Sequence, residues 1–264
     1  MLNKTALPLL LSFLAVSLTG CGSTPTAPAQ DRVWIPGWKQ TTPMNTRRAG
    51  SATVVANNVI YMIGGVGGLD FTNTVEYSRI QPDGTLGPWQ TGPSLIEARG
   101  FDEAVVRNGY IYVAGGGNGP YGKNLLRTVE RAAILPDGSL GPWQKESDML
   151  VVRRCSKITA TDKKIYSFGG FGGVMLDSVE SAEFLPDGRL GEWKLEPEAM
   201  TLPRYVNSAK MADGLAFIIG GHEQTKGIGI PDVEWSKAGS DGTLQKWQAT
   251  TPMLGLGVDI WNQA

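Results

Sequence analysis

Histidine and cysteine are scarce in this chain of 264 residues, which has one histidine, His222, and two cysteines, Cys21 and Cys155. Zinc sites are built mainly from these residue types, so the composition predicts no metal site. A charge surplus is also lacking, because 24 basic residues stand against 25 acidic ones. Proteins that hold nucleic acid carry a basic patch or stripe. We therefore expect no nucleic-acid partner.

A run of apolar residues long enough to span a membrane is lacking as well. The run at residues 6–18 is shorter than the roughly 20 residues that such a helix needs. It follows Lys4 and ends at Leu18-Thr19-Gly20-Cys21, which is typical of a secretory signal peptide. These four residues resemble a bacterial lipobox, in which Cys21 would carry the lipid after cleavage. The alternative is an ordinary signal with an incidental cysteine.

The lipobox interpretation divides the chain into three parts. Residues 1–20 are the predicted signal peptide, 21–31 a flexible tether and 32–264 the folded domain. Gly22, in place of an aspartate after the lipid cysteine, favours the outer membrane of the bacterial envelope by resemblance to other lipoproteins. Cys155 then has no partner for an internal disulfide and is predicted to be a small buried hydrophobic residue.

Four copies of one sequence motif are present along the rest of the chain. Each copy has Val-Glu, then Asp-Gly, then a tryptophan six residues after the aspartate. The tryptophans are Trp89, Trp143, Trp193 and Trp247. Glycine doublets recur in step at Gly64-Gly65, Gly115-Gly116, Gly169-Gly170 and Gly220-Gly221. A period near 50 residues with strand-like content is typical of propeller blades.

Each copy is predicted to form four antiparallel strands, A to D. In the first copy these are 50–55, 59–63, 74–80 and 86–90, separated by turn residues. Asn108-Gly109 and Asp213-Gly214 are strong hairpin signals between strands A and B. The large tryptophan is expected to pack between neighbouring blades. The repeats are placed at about 38–88, 89–142, 143–192 and 193–246, with a partial repeat at 247–264.

An arginine, an aromatic-rich strand ending in Gly-Gly, then Val-Glu and a downstream tryptophan resemble kelch repeats of the galactose oxidase central-domain type. The resemblance covers about residues 32–253 and implies a β-propeller, usually of five to eight blades. A copper centre like that of galactose oxidase would need more than one histidine. The predicted fold is therefore an all-β, kelch-type β-propeller with no cofactor.

The two ends depart from the kelch pattern. Trp38 belongs to a strand D without A, B or C before it, and residues 250–253 begin a fifth repeat. Gly257 stands where that repeat should have its arginine. We predict four complete four-stranded blades plus a partial fifth made from residues 32–40 and 254–262. A four-bladed ring, a partner chain or homo-oligomer that completes the propeller, and a shortened relative of a longer protein remain alternatives.

Arginines recur 16 residues before each glycine doublet and allow two interpretations. They would form a ring that binds an acidic ligand, or each would pair with the repeated glutamate. Two such charges about 10 Å apart repel by roughly 1.7 kcal/mol at a dielectric near 20, which favours pairing. The arginines are Arg48, Arg99, Arg153 and Arg204, and the glutamates are Glu76, Glu130, Glu180 and Glu234.

The four B–C loops differ in sequence and should emerge on the same face as the arginines. Irregular loops on a rigid scaffold are a common design for a binding surface. Phe71, Tyr121, Phe171 and Met175 would give that face aromatic and flexible contacts. Residues 117–123 imitate a phosphate-binding loop, but Asn124 stands where Ser or Thr is needed, so no nucleotide is predicted. The candidate ligand-binding residues are Arg48, Arg99, Arg153, Arg204, Phe71, Tyr121, Phe171 and His222.

Two functions follow from these observations. The first is a membrane-tethered binding module for a protein or glycan partner in the bacterial envelope, without a catalytic residue. The second comes from the resemblance, because some bacterial kelch propellers act on sialic acid as mutarotases. For that activity the nearest candidates are Arg204, His222 and Glu223, while His222 alone is most simply a surface loop residue.

Overall fold

The computed structural model describes residues 37–68, 70–223 and 229–254. The chain divides into two units, residues 1–40 and 41–264. Of the first unit only residues 37–40 are described; they form no strand, and the Trp38 side chain is exposed. The predicted signal peptide, Cys21, the tether and most of the predicted fifth blade lie outside the described residues. All further description concerns the second unit.

Blades 1 and 2 follow each other along the chain, and each contains a four-stranded antiparallel sheet. The strands of blade 1 are β1 (Ala52–Ala56), β2 (Val59–Ile63), β3 (Val66–Gly67), β4 (Asp70–Phe71), β5 (Val75–Arg79) and β6 (Gln90–Thr91). Those of blade 2 are β7 (Glu103–Arg107), β8 (Tyr110–Ala114), β9 (Gly117–Asn118), β10 (Asn124–Leu125), β11 (Val129–Ala133) and β12 (Gln144–Lys145). The sheets are ordered β1-β2-β5-β6 and β7-β8-β11-β12, and the hairpins β3–β4 and β9–β10 belong to the B–C loops.

Blades 3 and 4 repeat this arrangement. The strands of blade 3 are β13 (Lys157–Ala160), β14 (Lys164–Phe168), β15 (Val179–Glu183) and β16 (Lys194–Leu195). Then follow β17 (Arg204–Tyr205) and, in blade 4, β18 (Ser208–Ala212), β19 (Leu215–Ile219), β20 (His222–Glu223), β21 (Val233–Lys237) and β22 (Gln248–Thr250). The sheets are ordered β13-β14-β15-β16 and β18-β19-β21-β22, and β17 pairs with β20. The described residues contain no α-helix, and none of their helical segments is long and apolar enough to cross a membrane.

Turn chemistry sets the register of the inner hairpins. Asn57 and Asn58 both have positive φ, 50° and 59°, as do Asn108 and Gly109. Positive φ at both central residues defines the type I′ turn, whose twist matches that of paired strands. The outer strand is shorter than the sequence predicts, since β6 begins only at Gln90. Leu86 still forms a bridge with Ile80, and the pairing is then interrupted at Pro88, which has no N–H to donate to the ladder.

Three apolar cores lie between successive blades and hold a tryptophan each. Trp143 packs against blade 1, Trp193 against blade 2 and Trp247 against blade 3, with exposed fractions of 6%, 3% and 3%. The expectation that the tryptophans pack between blades is thus confirmed for these three. Trp89 of blade 1 is only half-buried. Within the described ranges no such core joins blade 4 to blade 1.

The four inner strands β1, β7, β13 and β18 surround a shared central cavity of about 270 Å³. This arrangement places the blades around one axis, as in a propeller. In the cavity Lys157 of blade 3 forms an ion pair with Glu103 of blade 2. Burial raises the pKa of the Glu103 carboxyl, while Lys157 and Lys210 act in the opposite direction. The pair therefore links the inner strands of two neighbouring blades.

The glycine doublets allow neighbouring blades to approach closely. A Cβ on Gly64, Gly115 or Gly169 would lie 2.4–2.5 Å from the carbonyl oxygen of the arginine that precedes the next blade. The second glycine of each of these three doublets donates its N–H to that same oxygen, at 2.7–2.9 Å. A side chain at the first glycine would clash with the backbone, and the positive φ there also favours glycine.

Candidate binding face

The loops before each blade meet the B–C loops at one surface, which we call the loop face. The residue after each repeated arginine pairs with the residue after each glycine doublet. The pairs are Ala49 with Val66, Gly100 with Gly117, Arg154 with Phe171 and Tyr205 with His222. These bridges hold both sets of loops at the same end of the blades, as the sequence predicts.

The four repeated arginines lie beneath this face, with no solvent-accessible side-chain area. In each, Nη1 donates to the carbonyl oxygen of the first glycine of the doublet, at 2.8–2.9 Å. Nη2 donates to the repeated glutamate, at 2.5–2.7 Å. The pairs are Arg48–Glu76, Arg99–Glu130, Arg153–Glu180 and Arg204–Glu234. The structure thus places the arginines as the pairing interpretation predicts.

Burial and hydrogen bonding act against each other in these pairs. Burial would raise the pKa of the Glu76 carboxyl, yet hydrogen bonds from Thr46 and Arg48 keep it below its usual value. Burial lowers the pKa of the Arg153 guanidinium, and the charge of Glu180 opposes that shift. A ligand could reach these guanidinium groups only if the loops above them moved. Ligand binding by the arginines stays a prediction, and their burial gives it no support.

A cavity of about 960 Å³ opens on the loop face between blades 1 and 2. We call it the loop-face cavity. Its wall includes Phe71 and Phe101, whose rings meet edge to face at a centroid distance of 6.2 Å. Ala49, Val66 and Pro120 extend the apolar wall. A large and mostly apolar concavity of this kind is the usual form of a binding site.

Tyr121 stands at the rim of the loop-face cavity with 86% of its surface exposed. It belongs to a short 3₁₀ turn, Pro120–Gly122, and has φ 57°. Gly119 and Gly122 flank this residue with φ 68° and 67°, so the chain reverses sharply. The sequence Gly-Pro-Tyr-Gly therefore holds the tyrosine away from the core.

Blades 3 and 4 contribute a row of rings to the same face. The Arg154 guanidinium lies 5.2 Å from the centre of the Phe171 ring. The centre of the Phe171 ring is 6.4 Å from that of Tyr205, and the centre of the Tyr205 ring is 5.4 Å from that of His222. The structure thus brings Phe171 and His222 into one row, and Phe71 and Tyr121 into the cavity of blades 1 and 2. Met175 forms a bridge to Phe171.

Sequence reasoning missed Phe101, Arg154 and Tyr205, all of which lie on the loop face. Each stands one or two residues after a repeated arginine, so the repeat register itself marks these positions. Their residue types vary between copies, and only the contacts of their side chains with Phe71 and Phe171 of the B–C loops show that they belong to this face.

The enzymatic candidates also come together on short paired strands. Arg204 is opposite Glu223, and Tyr205 is opposite His222, in the ladder of β17 with β20. The Arg204 guanidinium, however, is turned to Glu234, and Glu223 is 5% exposed. Although Arg204 and Glu223 are paired through their backbones, their charged side chains do not meet at the surface.

A chain of backbone hydrogen bonds links the blades at the inner edge of the loop face. Two residues after each arginine stand Gly50, Phe101, Cys155 and Val206, with φ of 57°, 56°, 51° and 54°. Phe101 donates its N–H to Gly50, Cys155 to Phe101 and Val206 to Cys155, at 2.7–3.0 Å. Positive φ is costly for Phe and Val, so the surrounding contacts must impose it. Cys155 is a free, half-buried thiol, and burial raises its pKa to about 11.

Comparison with known proteins supports a kelch-like β-propeller. A segment of 136 residues, 50% of this chain, is 27% identical to β-scruin of Limulus polyphemus and spans 15% of the length of that protein. The structure of YjhT is similar with a TM-score of 0.62 and 14% identity, covering 78% of this chain and 71% of YjhT. At that identity the likeness shows the fold alone. No protein-family model matches the chain.

Proposed function

We propose that this chain is a binding module whose loop face holds a protein or glycan partner in the bacterial envelope. The observation that carries the proposal is the loop-face cavity, with two aromatic rings in its wall and Tyr121 exposed at its rim. Interface anchors are typically aromatic side chains in well-formed concave sites. The four buried ion pairs and three interblade cores below it supply the rigid support that such a site needs.

Capture from envelope extracts tests this proposal. Immobilised wild-type protein should retain a partner, and Tyr121→Ser should lose most of it because an exposed anchor is removed without disturbing a core. Leu135→Ser is the matched control, since Leu135 is 40% exposed at the Asp-Gly turn between β11 and β12. Equal capture by both variants, or no capture by the wild type, would contradict a binding role for the loop face.

The tether is a separate part of the proposal. Its support is the Leu18-Thr19-Gly20-Cys21 sequence after a short apolar run. We expect the full chain to incorporate labelled palmitate in a bacterial host and to sediment with outer membranes. Cys21→Ala should abolish the label. A soluble, unlabelled wild-type protein would contradict the tether and leave the binding proposal intact.

A mutarotase-like activity is the second candidate, and one observation favours it. The paired strands β17 and β20 bring the Tyr205 and His222 rings within 5.4 Å of each other on the loop face. A lone histidine on such a surface can serve as a general acid or base. Anomer exchange of sialic acid, followed by NMR, should then be accelerated by the wild type and not by His222→Asn. No acceleration by the wild type would remove this candidate.

A further inference from the structure

We propose that the loop-face cavity receives an apolar or aromatic side chain from a protein segment that also carries carboxylates. This inference rests on the proposed binding function and names the partner's chemistry. Three observations support it. The wall of the cavity is apolar, the Asn118 side-chain amide already donates a hydrogen bond, and three cations flank the rim.

The cavity wall offers few directed polar groups to a sugar. Phe71, Phe101 and Pro120 supply aromatic and aliphatic surface, and the residues between them are small. The side-chain amide of Asn118 already donates to the Ala98 carbonyl oxygen at 2.9 Å. A glycan hydroxyl buried against the apolar wall, away from Asp70 and Tyr121, would lose its water without gaining a partner, which costs about 1–3 kcal/mol per group. An apolar side chain meets no such penalty.

The size of the cavity fits more than a single side chain. Its volume of about 960 Å³ lies at the upper end of the roughly 300–1,000 Å³ that small-molecule sites have. It is open to solvent along Tyr121, a residue that is 86% exposed. An extended segment could therefore insert one anchor residue and lay its neighbours across the tyrosine.

Three cations flank the residues at the rim of the cavity, although the whole protein is nearly neutral. Lys123 is exposed just after the Tyr121 turn, and Arg154 donates to the Gly122 carbonyl oxygen at 3.2 Å. Arg47 is exposed, and its carbonyl lies beside Gly67. Within the described part of the chain these three cations take part in no ion pair. Two carboxylates also lie there: Asp70 lines the cavity, and Glu97, next to Asn118, forms an ion pair with the buried Arg99. Carboxylates beside the anchor would complement this rim and steer association.

Selection from a random peptide display library, against the full chain, tests the inference. Enriched peptides should share an aromatic or large aliphatic residue within a few positions of Asp or Glu. For the tightest peptide, Tyr121→Ser and Lys123→Glu should each raise Kd by about tenfold, because the first removes the ring and the second reverses a rim charge. The matched controls Leu135→Ser and Lys237→Glu are both exposed at the end of the blades opposite the loop face, and they should stay within about twofold of the wild type.

A glycan array probed with the same proteins distinguishes failure of the protein-segment inference from failure of the proposed binding function. Glycan binding that Tyr121→Ser abolishes, without peptide enrichment, would overturn the protein-segment inference and keep the loop face as a binding surface. Enriched peptides that are basic or uncharged would overturn the carboxylate requirement. Peptides or glycans that bind all variants alike would contradict both the inference and the proposed binding function. A wild type that binds neither peptides nor glycans would do the same.

Discussion

Each buried arginine–glutamate pair ties the loop before a blade to the third strand of that blade. Arg99 and Glu130 are 0% and 1% exposed, so neither charge has water to replace its partner. Removal of one member leaves an uncompensated buried charge, which typically costs about 3–5 kcal/mol. At this scale the repeated charges stabilise the fold, and the exposed aromatic residues are available for a partner.

Arg99→Ala should therefore lower the free energy of unfolding by about 3–5 kcal/mol in denaturant titration. Arg189→Ala is the control, because Arg189 and Asp187 are both 62% exposed and such pairs contribute about 0–1 kcal/mol. A stable Arg99→Ala protein that had lost only an acidic ligand would contradict the structural role.

Asp102 is a buried carboxyl whose two oxygens find no hydrogen-bond partner among the described residues. Burial raises its pKa from 3.8 to about 7, partly opposed by Arg99. Because the folded pKa lies above the unfolded one, stability falls as pH rises from about 4 to 7 and stays low above that window. Asn207 occupies the equivalent position in blade 4, so an amide is compatible with the fold.

Asp102→Asn should accordingly melt at a higher temperature than the wild type at pH 8. The difference in melting temperature should shrink steadily below pH 7. It should vanish near pH 4, where residue 102 is neutral in the folded wild type and in the folded variant. Thermal melts across that pH range measure it. A difference that does not change with pH would show that the carboxyl is not neutral in the folded protein.

At the scale of the strands, a tyrosine on the second strand of blades 1, 2 and 3 bonds to the Asp-Gly turn of the next blade. Tyr61 donates to the Gly138 carbonyl at 2.8 Å and Tyr166 to that of Gly242 at 2.6 Å; Tyr112 bonds likewise to Gly188. Blade 4 has Phe217 at this position of β19, and a phenylalanine has no hydroxyl to donate. The repeated tyrosine thus marks the three blades that have a successor among the described residues.

Tyr112→Phe should destabilise the protein by about 1 kcal/mol, since the buried Gly188 carbonyl loses its donor. Tyr77→Phe is the matched change, because the Tyr77 hydroxyl bonds Gln90 at an exposed site and its loss should cost less. Denaturant midpoints compare them. An equal cost for both variants would contradict a specific interblade role for the tyrosine.

The elements differ in how far the sequence determined them. Asn108-Gly109 and Asp213-Gly214 predicted inner turns because positive φ is a local requirement. The ion pairs were predictable because an arginine and a glutamate recur in step. The row from Arg154 to His222 was not, since it depends on which loops meet in space. The loop-face cavity likewise arises only when blades 1 and 2 pack together.

For the whole molecule, the blades pack in series and leave the outer faces of blades 1 and 4 without a blade among the described residues. Trp247 is buried because it packs against blade 3, which precedes blade 4. Trp89 belongs to blade 1, which no described blade precedes, and it is only half-buried. The partial fifth blade and the homo-oligomer that would complete the propeller stay predictions. The oligomer alternative predicts a dimer in light scattering of the delipidated protein, and a stable monomer would contradict it.

The central claim, that function resides at the loop face, is tested most directly by photo-crosslinking in the native envelope. A photoreactive phenylalanine analogue in place of Tyr121 should form a discrete adduct with one partner. The same analogue in place of Leu135, at the opposite end of blade 2, should form none. Adducts at 135 alone, or equal background at both positions, would contradict the account.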